Sequence, residues 1–173
     1  MILEEEKRLT ELTRKMLEFD RGDAKRCQHF LKVATFAQLI AKGEELSDSD
    51  YYTVLAAALV HDIGIKPAEA HLHCNSGKAQ EQEGPAYAEA LLSECGYEDA
   101  VIKRVSYLVG HHHTYSEIDG ADYQILVEAD FLTNLYEDGV SKVAAQTALE
   151  KIFKTQTGRE LLTTMYLSEE QQF

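Results

Sequence analysis

The sequence has few residues of the kinds that build disulfide-rich or membrane-spanning proteins. Its 173 residues include three cysteines, two prolines and no tryptophan. The cysteines, Cys27, Cys74 and Cys95, are odd in number and widely spaced, which argues against a disulfide framework and against a structural zinc ribbon. The longest apolar run, residues 54–60, is far shorter than the roughly 20 residues that a transmembrane helix needs. These absences favour a soluble protein of a reducing compartment.

Positive charge is also scarce. Lys and Arg number 17 against 30 Asp and Glu, which gives a formal net charge of −13 and a pI near 4.9. Phosphate backbones and anionic lipid surfaces attract positive charge, so we expect neither a long nucleic acid nor a membrane as partner. A small-molecule phosphate substrate fits better. Residues 1–6 lack the basic region that opens a signal peptide, and we therefore expect a cytoplasmic location.

Ala, Leu, Glu and Lys dominate between the few helix breakers, which is typical of an all-α protein. The pattern predicts a single-domain helical bundle over residues 1–173. Asp23 and Ser47 are candidate N-caps. Residues 65–80 read as a long irregular loop, and long loops of compact domains are often functional. The predicted helices are 2–19, 24–42, 48–62, 81–95, 98–110, 121–136, 140–154 and 157–167.

Two predicted helices carry histidines on their apolar faces. His29 shares a face with apolar residues four, seven and eleven positions later, so it points inward. His61 lies on the buried face of the next helix, and Asp62 follows it just before Gly64. Because the glycine lets the backbone turn, the adjacent imidazole and carboxylate can converge on one ion. The alternatives are a core histidine bonded to a backbone carbonyl and a polar helix terminus.

The predicted helix 121–136 places a carboxylate in the middle of an apolar stripe. Asp130 shares this face with Tyr123, Leu126, Val127 and Asn134. A buried ionised carboxylate without a partner is very costly, and the sequence has no Lys or Arg within one helical turn of it. One alternative is that it caps the N-terminus of another helix. Taken together, these imidazoles and carboxylates predict a site for a divalent ion such as Mn, Fe, Co, Ni, Zn or Mg.

The order His29, then His61-Asp62, then Asp130 on a helical chain resembles the HD-domain metal-dependent phosphohydrolase superfamily. The resemblance covers about residues 24–138 and includes the Glu-Gly-Pro-Ala and Val-Gly-His-His segments at 83–86 and 109–112. It implies a helical bundle whose central ion is held by the four residues His29, His61, Asp62 and Asp130. Phosphate-ester hydrolysis is the commonest activity that it implies.

The chain departs from this pattern at two places. Some members have a Glu or Lys a few residues after the HD pair, whereas here the first charged residue after Gly64 is Lys66. Members with two metals often carry a histidine where this chain reads Gln-Glu-Gln-Glu at 80–83. A second ion held by Glu83 with His112 or His111 is therefore an alternative to a single ion.

The expected function is hydrolysis of a small phosphate ester by a metal-bound hydroxide, with nucleotides or nucleotide-like molecules as the substrate class that the resemblance implies. Asp62 is the candidate to orient the attacking water. His112 or His111 is the candidate to bind the phosphoryl oxygens or protonate the leaving group. Lys66 and Lys78, which flank the predicted loop, are candidate phosphate ligands, with solvated lysines as the alternative.

Two other functions remain open at this point. One is a non-catalytic metal or nucleotide sensor on the same fold. The other is a di-iron oxygenase of the same family, which needs a second iron with several histidine ligands; Gln80, where such a ligand would lie, counts against it.

Overall fold

The computed structural model describes residues 2–173, and all regular structure in this range is helical. The all-α prediction is therefore confirmed. None of the described helices is long and apolar enough to cross a membrane. The helices are α1 (Ile2–Phe19), α2 (Ala24–Gly43), α3 (Asp48–Val60), α4 (Ile65–Leu72), α5 (Gly77–Glu94), α6 (Asp99–Val109), α7 (Ala121–Glu137), α8 (Lys142–Lys151) and α9 (Gln156–Leu162), followed by a π-helical turn (Thr163–Leu167).

The expected helix signals are present at the ends of the early helices. The Asp23 carboxylate accepts a hydrogen bond from the backbone N–H of Arg26, and the Ser47 hydroxyl oxygen accepts one from the N–H of Asp50. Each satisfies a donor that the first helical turn leaves free. These caps fix where α2 and α3 begin, and thereby which of their faces point inward.

The core lies where α2, α3 and α7 pack against one another, with α6 packed on α3. Helix α3 is buried along residues 53–60. Ile40, Val54 and Leu126 are fully buried between these helices. Polar residues on the same faces are consequently carried into the interior, where each needs a partner.

The prediction of a long irregular loop at residues 65–80 is wrong. Helix α4 begins at Ile65 and α5 begins at Gly77, which leaves only a short connection between them. Pro67 lies in the first turn of α4, where the missing N–H costs nothing because the helix leaves that donor free anyway. The Ser76 hydroxyl oxygen caps α5 by accepting from the N–H of Ala79, and α5 therefore begins four residues before the expected residue 81.

Gly64 lets α4 and α5 approach each other closely. A Cβ atom at this position would lie 2.3 Å from the carbonyl oxygen of Gln80 and 2.8 Å from the backbone nitrogen of Gly84. Both neighbours are backbone atoms of α5, so neither can rotate away. The glycine after the His-Asp pair is therefore required by packing.

We expect Gly64→Ala to lower the free energy of unfolding by about 1–3 kcal/mol, because its methyl group forces α4 away from α5. Gly110→Ala is the matched control, since its Cβ would meet Pro85 Cγ at 3.1 Å, a side-chain atom that can shift. Urea unfolding followed by circular dichroism measures both. Equal stability of the two variants would contradict this packing role.

Candidate metal centre

The four residues expected to meet do converge inside the bundle. His29 on α2 has its Nε2 atom 3.2 Å from Asp62 Oδ2 and 3.2 Å from Asp130 Oδ1. His61 Nε2 lies 3.1 Å from His29 Nε2, and 3.4 and 3.5 Å from the same two carboxylate oxygens. His61 is fully buried and Asp130 is 4% exposed. Two imidazoles and two carboxylates thus point at one small volume. We call His29, His61, Asp62 and Asp130 the first group.

The end of α3 explains how two adjacent residues reach this volume. The helix ends at Val60, and the chain then runs through a tight turn to Gly64. Within this turn the two carboxylate oxygens of Asp62 face different ways. Oδ2 faces His29 and His61, whereas Oδ1 lies 3.3 Å from Nε2 of His112. Asp62 therefore lies between two groups of histidines.

Each of the three buried histidines has its Nδ1 atom held, so that its Nε2 points towards the carboxylates. Nδ1 of His61 and Nδ1 of His112 each bond to the carbonyl oxygen three residues earlier, at 2.8 and 2.9 Å. Nδ1 of His29 bonds to Glu137 Oε2 at 2.8 Å. Since Nδ1–H donates a hydrogen bond to each of these acceptors, the neutral ring keeps its lone pair on Nε2, which is the geometry of a metal-binding imidazole.

The second group consists of Asp62, His112 and His113. One potential ligand atom from each lies within 4.8 Å of the others. His112 is 1% exposed, and its Nε2 has no hydrogen-bond partner among the described residues. A buried lone pair facing a carboxylate fits a bound cation or a proton shared with substrate. Burial lowers the pKa of His113 to about 4, and the neighbouring His112 contributes to this shift. The ring of His113 is therefore neutral at physiological pH.

His111 does not belong to either group. Its Nδ1 bonds to the carbonyl oxygen of Tyr107 at 2.7 Å, and its ring stacks on the Tyr107 ring at a centroid distance of 4.1 Å. Of the two alternatives, His112 or His111, the structure places His112 beside Asp62, and the histidine that accompanies it there is His113. Three consecutive residues cover most of a helical turn, so the sequence alone does not decide which two face inward.

The remaining candidates, Glu83 for a second ion or substrate and Lys66 and Lys78 for phosphate, have partners or positions that the sequence did not indicate. Glu83 Oε2 lies 3.1 Å from His71 Nδ1, so this carboxylate joins α5 to α4 and lies outside the second group. Lys66 Nζ donates to the carbonyl oxygen of Phe19 and lies 3.5 Å from an oxygen of Asp20. It therefore fastens α4 to the turn after α1. Lys78 is exposed on the first turn of α5, and its phosphate role stays a prediction.

The buried charges of the first group are strongly coupled. Burial alone would lower the pKa of His29, but hydrogen bonds to Asp130 and Asp62 raise it to about 9. The same carboxylates raise the pKa of His61 against its burial. In return, the imidazoles hold the pKa of Asp62 and of Asp130 below the usual range, although burial opposes this. Both carboxylates are thus ionised at neutral pH, and protons on the imidazoles balance their charge when no cation is bound.

Sequence reasoning missed three supporting residues. Asn134 donates from Nδ2 to Asp130 Oδ1 at 2.9 Å, and its place one turn later on the same face was visible in the sequence. Glu137 lies a further turn along, three residues after Asn134. Glu81 accepts from the N–H of His113 and from the Thr114 hydroxyl, both at 3.0 Å. Nothing in the sequence pairs Glu81 with the histidine run, because these contacts join α5 to the turn after α6.

A family model described as HD domain matches residues 26–155, which is most of the chain. The chain belongs to the HD domain family. Its motif residues His29, His61, Asp62 and Asp130, and the two histidines of the second group, all lie inside the matched range.

Two known proteins are similar to this HD domain. The 3'3'-cGAMP-specific phosphodiesterase 3 of Vibrio cholerae is 32% identical over 108 residues, which cover 59% of this chain and 22% of that protein. The chain therefore spans about a fifth of the length of this relative. The crystal structure of a predicted HD superfamily hydrolase from an uncultured Thermotogales bacterium superposes with a TM-score of 0.61 at 26% identity, over 90% of this chain and 82% of the other.

We expect metal binding to release protons and to strengthen as the pH rises towards 9. Below the raised pKa of His29, about 9, a divalent ion must displace a proton from this ring, and the competition weakens as the pH rises. Calorimetric titration of metal-free protein with Mn²⁺ or Zn²⁺, in buffers of different ionisation enthalpy, counts the protons released. Uptake without proton release, with one affinity from neutral pH to pH 9, would contradict this charge arrangement.

Proposed function

We propose that this HD domain is a metal-dependent phosphohydrolase acting on a small phosphate ester, with nucleotides or nucleotide-like phosphodiesters as the substrate class. The observation that carries the proposal is the position of Asp62. One of its oxygens faces the imidazoles of His29 and His61, and the other faces the buried Nε2 atom of His112, which has no hydrogen-bond partner among the described residues. The similarity to a curated phosphodiesterase supports the ester class. The net charge of −13 supports a small substrate, because a long polyanion would be repelled.

We assign the metal ligands to the first group, because its donors fit a divalent cation. The two carboxylates supply the negative charge, and the two imidazoles supply Nε2 lone pairs once deprotonated. This mixed nitrogen and oxygen set suits Mn, Fe, Co, Ni, Zn or Mg and disfavours Ca. When bound, such an ion polarises a phosphoryl oxygen and acidifies a water molecule. The proposed ligands are His29, His61, Asp62 and Asp130.

The chain's own groups then handle the protons. Asp62 is ionised at neutral pH, since His61 and the other imidazoles lower its pKa, so its oxygens accept a hydrogen bond and orient the attacking water. The Nδ1 proton of His112 is committed to a backbone carbonyl. When the ring carries a second proton, that proton lies on Nε2 in position for the leaving oxygen, and Asp62 Oδ1 at 3.3 Å orients the ring.

A second ion is the alternative role for the second group. Its ligands would be Asp62, His112 and His113, with Gln80 Oε1 at 2.9 Å from His113 Nε2, and not Glu83. Counting the ions bound per chain separates the two roles. One ion leaves His112 as a proton donor, whereas two ions make it a ligand.

We expect Asp130→Ala to lose both the bound metal and activity, because it removes a buried charge that the cation needs. His112→Ala should keep an ion in the first group and lose turnover by about 10²-fold or more, the size expected for one positioned acid–base group. Elemental analysis and hydrolysis of bis(p-nitrophenyl) phosphate and a panel of dinucleotides measure these effects. His71→Ala is the control, since this histidine is exposed on α4.

Two outcomes would contradict this account. A wild-type protein loaded in turn with each candidate ion, yet inert towards every ester of the panel, defeats the hydrolase proposal; melting shifts with nucleotides would then favour a sensor. Unchanged turnover of His112→Ala defeats the proton-transfer role alone.

A further inference from the structure

The imidazole of His29 is held by a third carboxylate on the side away from Asp62 and Asp130. Its Nδ1 lies 2.8 Å from Glu137 Oε2, and the other oxygen of Glu137 lies 2.6 Å from Lys32 Nζ. The side chain of Glu137 is only 12% exposed, and that of His29 is 10% exposed. The chain of contacts thus runs from a half-exposed lysine through a buried carboxylate to a buried imidazole.

These contacts form a second layer of side-chain interactions between α2 and α7. Asp130 and Glu137 are seven residues apart on α7, which is two turns or about 10 Å along the same face. His29 and Lys32 are three residues apart on α2 and so also share a face. The first layer of contacts therefore joins His29 to Asp130, and the second joins His29 and Lys32 to Glu137.

The position of His29 explains why it needs a side-chain acceptor when the other two histidines do not. His61 follows α3 directly and His112 is the third residue after α6, and their Nδ1 atoms bond to carbonyls of the last turn, which have no partner within the helix. His29 is the sixth residue of a helix that continues to Gly43. The carbonyls beside it are used by the helix itself. Glu137 supplies the missing acceptor.

We propose that Glu137 is a positioning residue of the metal centre, which fixes the ring of His29 with Nε2 directed at the ion, and that Lys32 holds Glu137 in place. The proposal rests on the metal site of the proposed function. An anionic acceptor also increases the donor strength of Nε2 more than a neutral carbonyl does. Lys32 in turn compensates the charge of the largely buried carboxylate.

The test measures metal affinity separately from turnover. We expect Glu137→Ala to weaken Co²⁺ binding by about 10- to 100-fold, as is typical when a carboxylate behind a histidine ligand is removed. The visible absorption of the bound Co²⁺ should change, because the ring of His29 is no longer fixed. Glu137→Gln keeps an acceptor for Nδ1 and should lose less affinity than the alanine variant.

The matched control is Glu94→Ala, which breaks another Lys–Glu pair between helices, with Lys15 at 2.8 Å, and should leave affinity and spectrum unchanged. Thermal unfolding of each metal-free variant shows which fraction is folded. A merely structural role of Glu137 would lower the unfolding midpoint but leave the affinity and spectrum of the folded protein as in the wild type, and that result overturns the proposal.

Lys32→Met keeps the proposal testable where Glu137→Ala does not fold. It releases the Glu137 side chain without removing it, so the expected loss of Co²⁺ affinity is smaller than for alanine at 137 but measurable. Wild-type affinity in this variant overturns the proposal. A wild-type protein that binds Co²⁺ but hydrolyses no ester defeats the proposed function and leaves this inference standing, whereas a wild-type protein that binds no Co²⁺ defeats both.

Discussion

The close approach of two ionised carboxylates, Asp130 buried and Asp62 partly buried, is the constraint on which the rest of the structure depends. Asp62 and Asp130 both approach His29 and His61 within 3.5 Å in the core of the bundle, where uncompensated negative charge is very costly. Two states satisfy it: protonated imidazoles, or neutral imidazoles around a cation. Either state compensates the negative charge of the two carboxylates. The apolar surroundings supplied by the core helices strengthen both kinds of electrostatic interaction.

Helix ends do most of the positioning. The end of α3 places the adjacent residues His61 and Asp62 at the site. The close approach allowed by Gly64 brings α5 beside them. The end of α6 delivers His112 to the other oxygen of Asp62. Because free carbonyls at these two ends hold the Nδ1 atoms, the rings are oriented before any ligand binds. This preorganisation supports a role in chemistry, since a catalytic group acts efficiently only when it is already in place.

Composition and periodicity were enough to predict the helical fold, and the apolar faces around His29, His61 and Asp130 indicated that these side chains point inward. The four-residue set that includes Asp62 followed from the resemblance to the HD-domain superfamily. These signals failed where tertiary contacts decide. The sequence could not reveal that Lys66 would bond to the turn after α1, nor that His111 would stack on Tyr107. The short helix α4 was missed because a proline in a first turn looks like a break. The cytoplasmic location and the exclusion of nucleic acid and membrane partners stay predictions from charge and composition.

The most direct measurement is anomalous X-ray diffraction from crystals of the protein soaked in Mn²⁺ or Zn²⁺, collected at the absorption edge of the ion. We expect a strong peak bounded by Nε2 of His29, Nε2 of His61 and the carboxylates of Asp62 and Asp130, roughly 2.0–2.4 Å from each ligand atom. A second peak beside His112 and His113 would assign them as ligands. A well-ordered cluster without any peak at saturating metal would contradict the central claim.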